Sequence, residues 1–345
     1  MVQRNNSEIE FRINCSPIKI SSNLLKGLKI NSKTLSTYPA PNSKGGVSIL
    51  SKYLDLKEEN LSILNGSSEG FFILPQVFKF KKSTIITPTF WEYEHSLSIN
   101  KVEISFFELS SDTDFSLNEK EFEESIKKSD SIFICNPNNP TSTYIKKEVL
   151  ISVARKFKDK LFVIDETYLL FSKDYEKETL NRIAAKVKNI LVISSLSKIF
   201  SIGGVRVGFC VSSKENIDLI KKYKNPYSTN ILAEKILPIL LKNNSYINKT
   251  RAYVNNEKNR VYKKMTRLSW LKPFKPSANF ILVKIRNNNI SLKELVKYLD
   301  KRRIKIRVGS EFRGLSNRYF RFCIKTKREN DLLIKNLKNF YKTFS

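Results

Sequence analysis

A chain of 345 residues, 41% of them hydrophobic, can bury a sizeable core and build two domains, or one large domain with an annex. No window comes near the roughly 18 uninterrupted apolar residues of a membrane span, and the start MVQRNNSEIEFRIN lacks the apolar stretch of an export signal, so a cytoplasmic protein without membrane association is expected. The 62 lysines and arginines outnumber the 33 acids by 29, yet they are spread along the chain and runs such as KRRIKIR (301–307) are broken by apolar residues, which reads as a solvated basic surface.

The strand signals, in chain order, are STIIT (83–87), VEISFF (102–107), SIFIC (131–135), LFVI (161–164), ILVIS (190–194) and VGFCV (207–211). Between them, LNEKEFEESIKK (117–128) and KKEVLISVARKFK (146–158) repeat apolar residues at three and four, the helical period. Strands alternating with helices predict an α/β fold whose mostly parallel sheet is covered on both faces. From about residue 225 helical stretches dominate, followed by NFILVKI (279–285), a helical SLKELVKYLDKRR (291–303) and a final strand and helix. Thr326 and Glu329 predict a capping box ahead of Leu332, Leu333 and Leu337. The expected division is an N-terminal arm (1–35), a large domain (36–225) and a smaller α+β domain (226–345).

Cys15, Cys135, Cys210 and Cys323 lie far apart without a C-x-x-C pair. That spacing argues against a zinc site and against a disulfide framework, so reduced, mostly buried thiols and no metal are expected.

Three strands run directly into polar clusters. SIFIC leads to NPNNPT (136–141), LFVI to DETY (165–168) and ILVIS to SLSK (195–198). In α/β sheets ligands bind beyond the carboxyl ends of the strands. Together the clusters offer an acid, a phenol, an amide, hydroxyls and an amine. Pyridoxal 5′-phosphate needs that set: a lysine for its Schiff base, a carboxylate at its ring nitrogen, partners for its ring oxygen, and hydroxyls with a cation for its phosphate.

These segments, in this order and over nearly the whole chain, resemble the fold-type-I pyridoxal-phosphate enzymes of the class I/II aminotransferase family, nearest the histidinol-phosphate aminotransferases and threonine-phosphate decarboxylases. The resemblance implies a large domain with a mostly parallel sheet and a smaller α+β domain. SLSKIFSIGGVRVGF (195–209) is similar to the lysine motif, which implies Lys198 as the Schiff-base residue and Ser195, Ser197 and Arg206 as phosphate ligands. DETY implies Asp165 at the ring nitrogen and Tyr168 on the ring oxygen, where Asn139 of NPNNPT is also implied. NGSSEG (65–70) resembles the turn at a helix start that receives the phosphate, so Ser67 and Ser68 are candidates. Tyr93 in PTFWEY matches the aromatic that stacks on the ring. Tyr38 in TYPAP matches a tyrosine that reaches the phosphate of a neighbouring subunit, which implies a homodimer. Arg321 in RYFRFCIKTKREN (318–330) matches the arginine that holds a substrate carboxylate. Arg313 and Asn14 join it as substrate-side candidates.

The implied function is transfer of an amino group from a small amino-acid or amino-phosphate donor to a keto acid such as 2-oxoglutarate. Threonine-phosphate decarboxylation is the alternative: the F-R-G-L run ahead of Arg321, and Lys325 where the aminotransferases carry glycine, both resemble the decarboxylases. Departures from the family pattern are Ser16 and Lys19 in NCSPIK (14–19) and Ser142 in place of glycine after NPNNPT. The first falls in the arm that shapes the substrate pocket. The rival class, a basic nucleic-acid-binding protein on an inactive enzyme fold, requires a lost cofactor residue, and none of those named is missing.

Overall fold

The computed structural model describes residues 8–26, 28 and 30–343. Residues 1–7 of the expected arm lie outside the described residues. In chain order the first strands are β1 (Ile9–Glu10), β2 (Leu61–Leu64), β3 (Lys82–Thr87), β4 (Glu103–Glu108), β5 (Ser131–Cys135), β6 (Leu161–Asp165), β7 (Ile190–Ser195) and β8 (Gly208–Val211). They are followed by β9 (Leu271–Pro273), β10 (Phe280–Ile285), β11 (Ile304–Lys305), β12 (Arg307–Val308) and β13 (Tyr319–Cys323).

Seven strands form the central sheet in the order β2-β8-β7-β6-β5-β3-β4. From β7 to β4 the neighbours are parallel. Strand β8 runs against both of its neighbours. Every residue of β5, β6 and β7 is buried, as the continuous apolar runs SIFIC, LFVI and ILVIS require of strands covered on both faces. The fold is α/β with a mostly parallel mixed sheet.

The expected strands and helices appear with ends shifted by one to three residues, such as Glu119–Ser125 and Lys147–Lys156 for the two early helices. Strand β2, of sequence LSIL, is an addition: its few residues carry no alternation, and it is a strand because β8 offers it an edge.

A second sheet has the order β12-β13-β10-β9, antiparallel throughout. Strand β1 pairs in parallel with β11, Ile9 opposite Ile304, which ties the arm to the late part of the chain. Helices Ile231–Leu241 and Asn244–Met265 account for the helical stretch, and the first packs its Leu237 side of the chain against helix Lys44–Leu54. The capping box forms: the Glu329 N–H donates to Thr326 Oγ1 at 3.4 Å, and the Thr326 N–H donates to Glu329 Oε2 at 3.0 Å. Among the described residues no helix is long and apolar enough to cross a membrane.

Candidate active site

Three adjacent parallel strands end at one edge of the central sheet, β5 at Cys135, β6 at Asp165 and β7 at Ser195. Because β8 is reversed, it begins at that same edge, where Gly208 pairs with Ser195 on one side and Leu64 on the other. The reversal brings Arg206, just before β8, onto the turn that follows β2. Glycine is required at both contact points. A Cβ on Gly208 would lie 2.6 Å from the Ser67 nitrogen, and one on Gly66, whose φ is 74°, would lie 2.3 Å from Arg206 Nη2.

These elements enclose a cavity of about 170 Å³ lined by Ser67, Ser68, Phe90, Glu92, Cys135, Asp165, Thr167, Tyr168, Ser195, Ser197, Lys198 and Arg206. Lys198 stands on the short helix Leu196–Ile199 that follows β7. Its carbonyl accepts the Ser16 N–H at 2.9 Å, so the N-terminal arm is anchored beside the lysine. Ser67 and Ser68 open the helix Ser67–Phe78, whose first backbone N–H groups lack helical partners and carry the positive end of the dipole.

Asp165 is 5% exposed. Burial pushes its pKa up, while the Thr167 N–H, donating to Oδ1 at 2.9 Å, and the Tyr93 hydroxyl, donating to Oδ2 at 2.5 Å, oppose that rise. Burial likewise pushes the Tyr168 phenol up; Asn14 Nδ2 donates to its oxygen at 3.3 Å. The Tyr168 ring meets the Phe280 ring edge-on at 4.9 Å, and the Arg321 guanidinium lies 5.4 Å from the same Phe280 ring. Arg321 is 4% exposed and burial pulls its pKa down to about 10. Its Nη1 donates to Asn139 Oδ1 at 2.6 Å and its Nη2 donates to the Arg12 carbonyl. Among the described residues, Arg321 Nε, Asn14 Oδ1 and Ser194 Oγ are buried without a hydrogen-bond partner. Groups of this kind cost free energy unless something else satisfies them.

Of the residues expected from sequence, Ser67, Ser68, Asp165, Tyr168, Ser195, Ser197, Lys198 and Arg206 line the one cavity. Asn14, Asn139 and Arg321 form the layer next to Tyr168. Three residues stand elsewhere. Tyr93 is expected on the ring face, but it is 1% exposed and lies behind Asp165; Phe90, three residues earlier, takes the wall position. The physical reason is the helix Glu92–Ile99, which starts between the two aromatics and turns Tyr93 into the core against Phe71. Arg313 lines an adjoining cavity of about 430 Å³ that shares Phe90, where its Nε donates to Glu94 Oε2 at 2.9 Å and its guanidinium covers the Phe106 ring. Tyr38 is 84% exposed, meets Tyr227 edge-on at 5.9 Å, and is not among the residues lining the cavity of its own chain.

Sequence reasoning missed Phe90, Glu92, Cys135 and Thr167. Glu92 is part of the PTFWEY motif and accepts the Ser68 hydroxyl proton at 2.5 Å. Thr167 was legible as the residue whose N–H an aspartate two positions earlier accepts in a local turn. Cys135 carried no signal beyond being the last residue of its strand.

The family model for class I and II aminotransferases matches residues 43–337. Over 89% of its length the chain is 31% identical to a provisionally named threonine-phosphate decarboxylase of Caldanaerobacter subterraneus subsp. tengcongensis, covering 84% of that protein. Over 96% of its length it is 29% identical to the histidinol-phosphate aminotransferase of the same organism, covering 91% of it. Its fold is similar to the crystal structure of the histidinol-phosphate aminotransferase from Clostridium acetobutylicum, with a TM-score of 0.90, 28% identity, and 97% and 99% of the two chains covered. With the motifs lying on the strand ends where a ligand site is built, the chain belongs to the class I and II aminotransferases.

Proposed function

We propose that this chain moves an amino group from a small amino-acid or amino-phosphate donor to a keto acid, with Lys198 as the reacting amine and pyridoxal 5′-phosphate as cofactor. The observation that carries the reading is the convergence of Lys198, Asp165, Tyr168, a hydroxyl-bearing helix N-terminus and Arg206 on one cavity of about 170 Å³. The family is one of pyridoxal-phosphate enzymes, and the donor set fits that group: an amine, a buried carboxylate, a phenol, and an anion cradle of hydroxyls, backbone N–H groups and a guanidinium.

In this reading Ser67, Ser195, Ser197 and Arg206 hold the phosphate together with the first N–H groups of helix Ser67–Phe78. Ser68 donates its own proton to Glu92, so its backbone N–H is what it offers. Asp165 keeps a proton on the ring nitrogen; a cation on its open side reverses the upward push of burial. Tyr168 and Asn139 serve the ring oxygen, and Phe90 forms the wall. When bound, the cofactor supplies an electron sink for the pair released at the substrate Cα. The Lys198 amine removes the Cα proton and holds it for return. Arg321 grips the substrate carboxylate as a fork, its plane fixed by Asn139 and the Arg12 carbonyl. The exposed Tyr38 serves the site of a second copy, so the working form is a homodimer.

Decarboxylation of a phosphorylated amino acid is the second reading. What supports it is the adjoining 430 Å³ cavity lined by Arg313, whose guanidinium would have to leave its Glu94 partner to meet a substrate phosphate. The two reactions differ in which Cα bond stands perpendicular to the ring, and therefore in how Arg321 turns the carboxylate.

The purified protein, loaded with cofactor, is mixed separately with histidinol phosphate and with threonine phosphate without any keto acid, and its visible spectrum is followed. A lasting change to the amine form of the cofactor establishes transamination and identifies the donor. Carbon dioxide release with return of the starting spectrum establishes decarboxylation. A spectrum that neither these donors nor a panel of unphosphorylated amino acids perturbs overturns both readings.

A further inference from the structure

Tyr246 lies outside the Lys198 cavity, half-buried in the first turn of helix Asn244–Met265, yet its hydroxyl reaches two segments that build the site. It donates to the Ile18 carbonyl of the arm at 2.6 Å, and the Ile199 carbonyl, at the end of the short helix that carries Lys198, lies 3.3 Å away. A phenol has one proton to give, so the short bond to Ile18 is the one made in full. The ring stacks on the buried Phe200 with centroids 5.4 Å apart, which fixes where the hydroxyl points.

The helix that carries Tyr246 is itself pinned to the site. Its cap, Asn243, accepts the Tyr246 N–H at 2.9 Å. Farther along, Arg251 Nε donates to the Leu170 carbonyl at 2.9 Å and Asn255 Nδ2 to the Phe171 carbonyl at 3.0 Å, just beyond Tyr168 in the chain. Tyr246 therefore reaches the arm from a fixed support.

On the arm, the Ser16 N–H donates to the Lys198 carbonyl at 2.9 Å, and Ser16 Oγ accepts the Ile18 N–H at 3.1 Å. The local turn so formed presents the Ile18 carbonyl to Tyr246. Ser16 stands where the family pattern has asparagine, and this turn gives the departure a role. Two residues before Ser16, Asn14 Nδ2 donates to the Tyr168 oxygen at 3.3 Å, while Asn279 Nδ2 donates to the Asn14 carbonyl at 3.2 Å. A bond of that length is readily lost when the arm shifts.

Resting on the reading that pyridoxal phosphate is held by Asp165 and Tyr168, we infer that Tyr246 is a positioning residue: its hydroxyl clamps the Ser16–Ile18 turn of the arm beside the helix of Lys198, and so keeps Asn14 on the Tyr168 oxygen.

The test uses the full chain and Tyr246→Phe, which keeps the ring on Phe200 and removes only the hydroxyl. Hydrogen exchange is read first on cofactor-free protein, by mass, in peptides covering residues 12–19. Exchange there is expected to be roughly two- to tenfold faster in the variant, the opening that one hydrogen bond of ordinary net worth suppresses. Unchanged exchange in the arm, or acceleration spread evenly over the chain, overturns the clamp.

The second reading is the pH midpoint of the visible band of protein loaded with pyridoxal phosphate. Without Asn14 behind it, Tyr168 is a weaker donor to the ring oxygen, which keeps more negative charge and holds a nearby proton to higher pH. Asn14→Ala and Tyr246→Phe are each expected to raise the midpoint by about half a unit. In the Asn14→Ala background, Tyr246→Phe is expected to add nothing, because it acts through Asn14. Additive shifts, or no shift from Tyr246→Phe alone, overturn the inference. A wild-type protein that gains no visible band with pyridoxal phosphate refutes the cofactor reading instead, and the exchange measurement then decides the clamp by itself.

Discussion

Tyr93 holds Asp165 from behind, its buried hydroxyl donating to Oδ2 at 2.5 Å while the Thr167 N–H donates to Oδ1 at 2.9 Å. Both oxygens of this cavity carboxylate are thus fixed by the protein before anything binds. Burial drives this acid toward its neutral form, and the two donors are what oppose it.

Tyr93→Phe removes one donor and leaves the ring packing against Phe71 intact. Asp165 then requires a higher pH to ionise. The acidic limb of the kcat/KM profile is expected to move up in pH, and activity at neutral pH to fall roughly ten- to hundredfold, as follows from the about 1.5–3 kcal/mol of a hydrogen bond to a charged group. A profile that superimposes on the wild type would remove Tyr93 from this role.

Lys198→Ala is expected to keep the fold and lose covalent attachment of the cofactor. Borohydride reduction in the presence of pyridoxal phosphate, read by intact mass, gives one added cofactor mass in the wild type and none in the variant. Asp165→Asn is expected to lose activity by orders of magnitude, because a neutral amide cannot hold the ring nitrogen protonated. Wild-type turnover in either variant contradicts the assignment.

Ser142 occupies a left-handed conformation, φ 61°, at the position where the family pattern has glycine. Its Oγ accepts the Ala278 N–H at 2.8 Å and its carbonyl accepts the Ser277 N–H at 2.8 Å. Ser142→Gly relieves about 1 kcal/mol of backbone cost but, like alanine, leaves the Ala278 N–H without its partner, so its stability is expected to fall by about 0–2 kcal/mol. Ser142→Ala keeps the backbone cost and leaves the Ala278 N–H without its partner, a loss of about 1–3 kcal/mol. Urea midpoints in the order wild type, glycine, alanine are expected; alanine equal to glycine contradicts the strain.

Glu166 is buried, accepts from the Thr179 hydroxyl at 2.6 Å and the Leu180 N–H at 2.8 Å, and burial pushes its pKa from 4.5 to about 7. The folded state therefore keeps this proton to higher pH than the unfolded chain. Its contribution to stability is complete below pH 4.5 and declines as pH rises toward 7. The total is of order 3 kcal/mol at about 1.4 kcal/mol per unit. Glu166→Gln keeps the Leu180 N–H contact through its amide oxygen and can meet Thr179 with the direction reversed, Nε2 donating to the hydroxyl oxygen, without the titration, so its thermal midpoint is expected to fall less than that of the wild type between those limits. Parallel curves contradict the assignment.

Much of the site was readable because its chemistry sits at strand ends. A continuous apolar run has to be a covered strand, and the polar residue that stops it has to stand at the sheet edge. That logic located Asp165, Ser195 and Lys198 from local pattern alone. The Thr326 cap was legible for the same reason, since both partners lie within one helical turn.

Local pattern determined the α/β alternation, the strand order along the chain, and the residue types at the edge, because apolar period and capping act over a few neighbours. Tertiary structure decided what depends on distant partners. The reversal of β8 is written in no residue of VGFCV, yet it carries Arg206 to the turn after Leu64. Pairing of Ile9 with Ile304 makes the arm part of the late fold. Which of Phe90 and Tyr93 faces the cavity turned on where one helix begins, and the meeting of Arg321 with Asn139 on the packing of two sheets. Sequence separation does not encode direction or contact; burial of the shared core does.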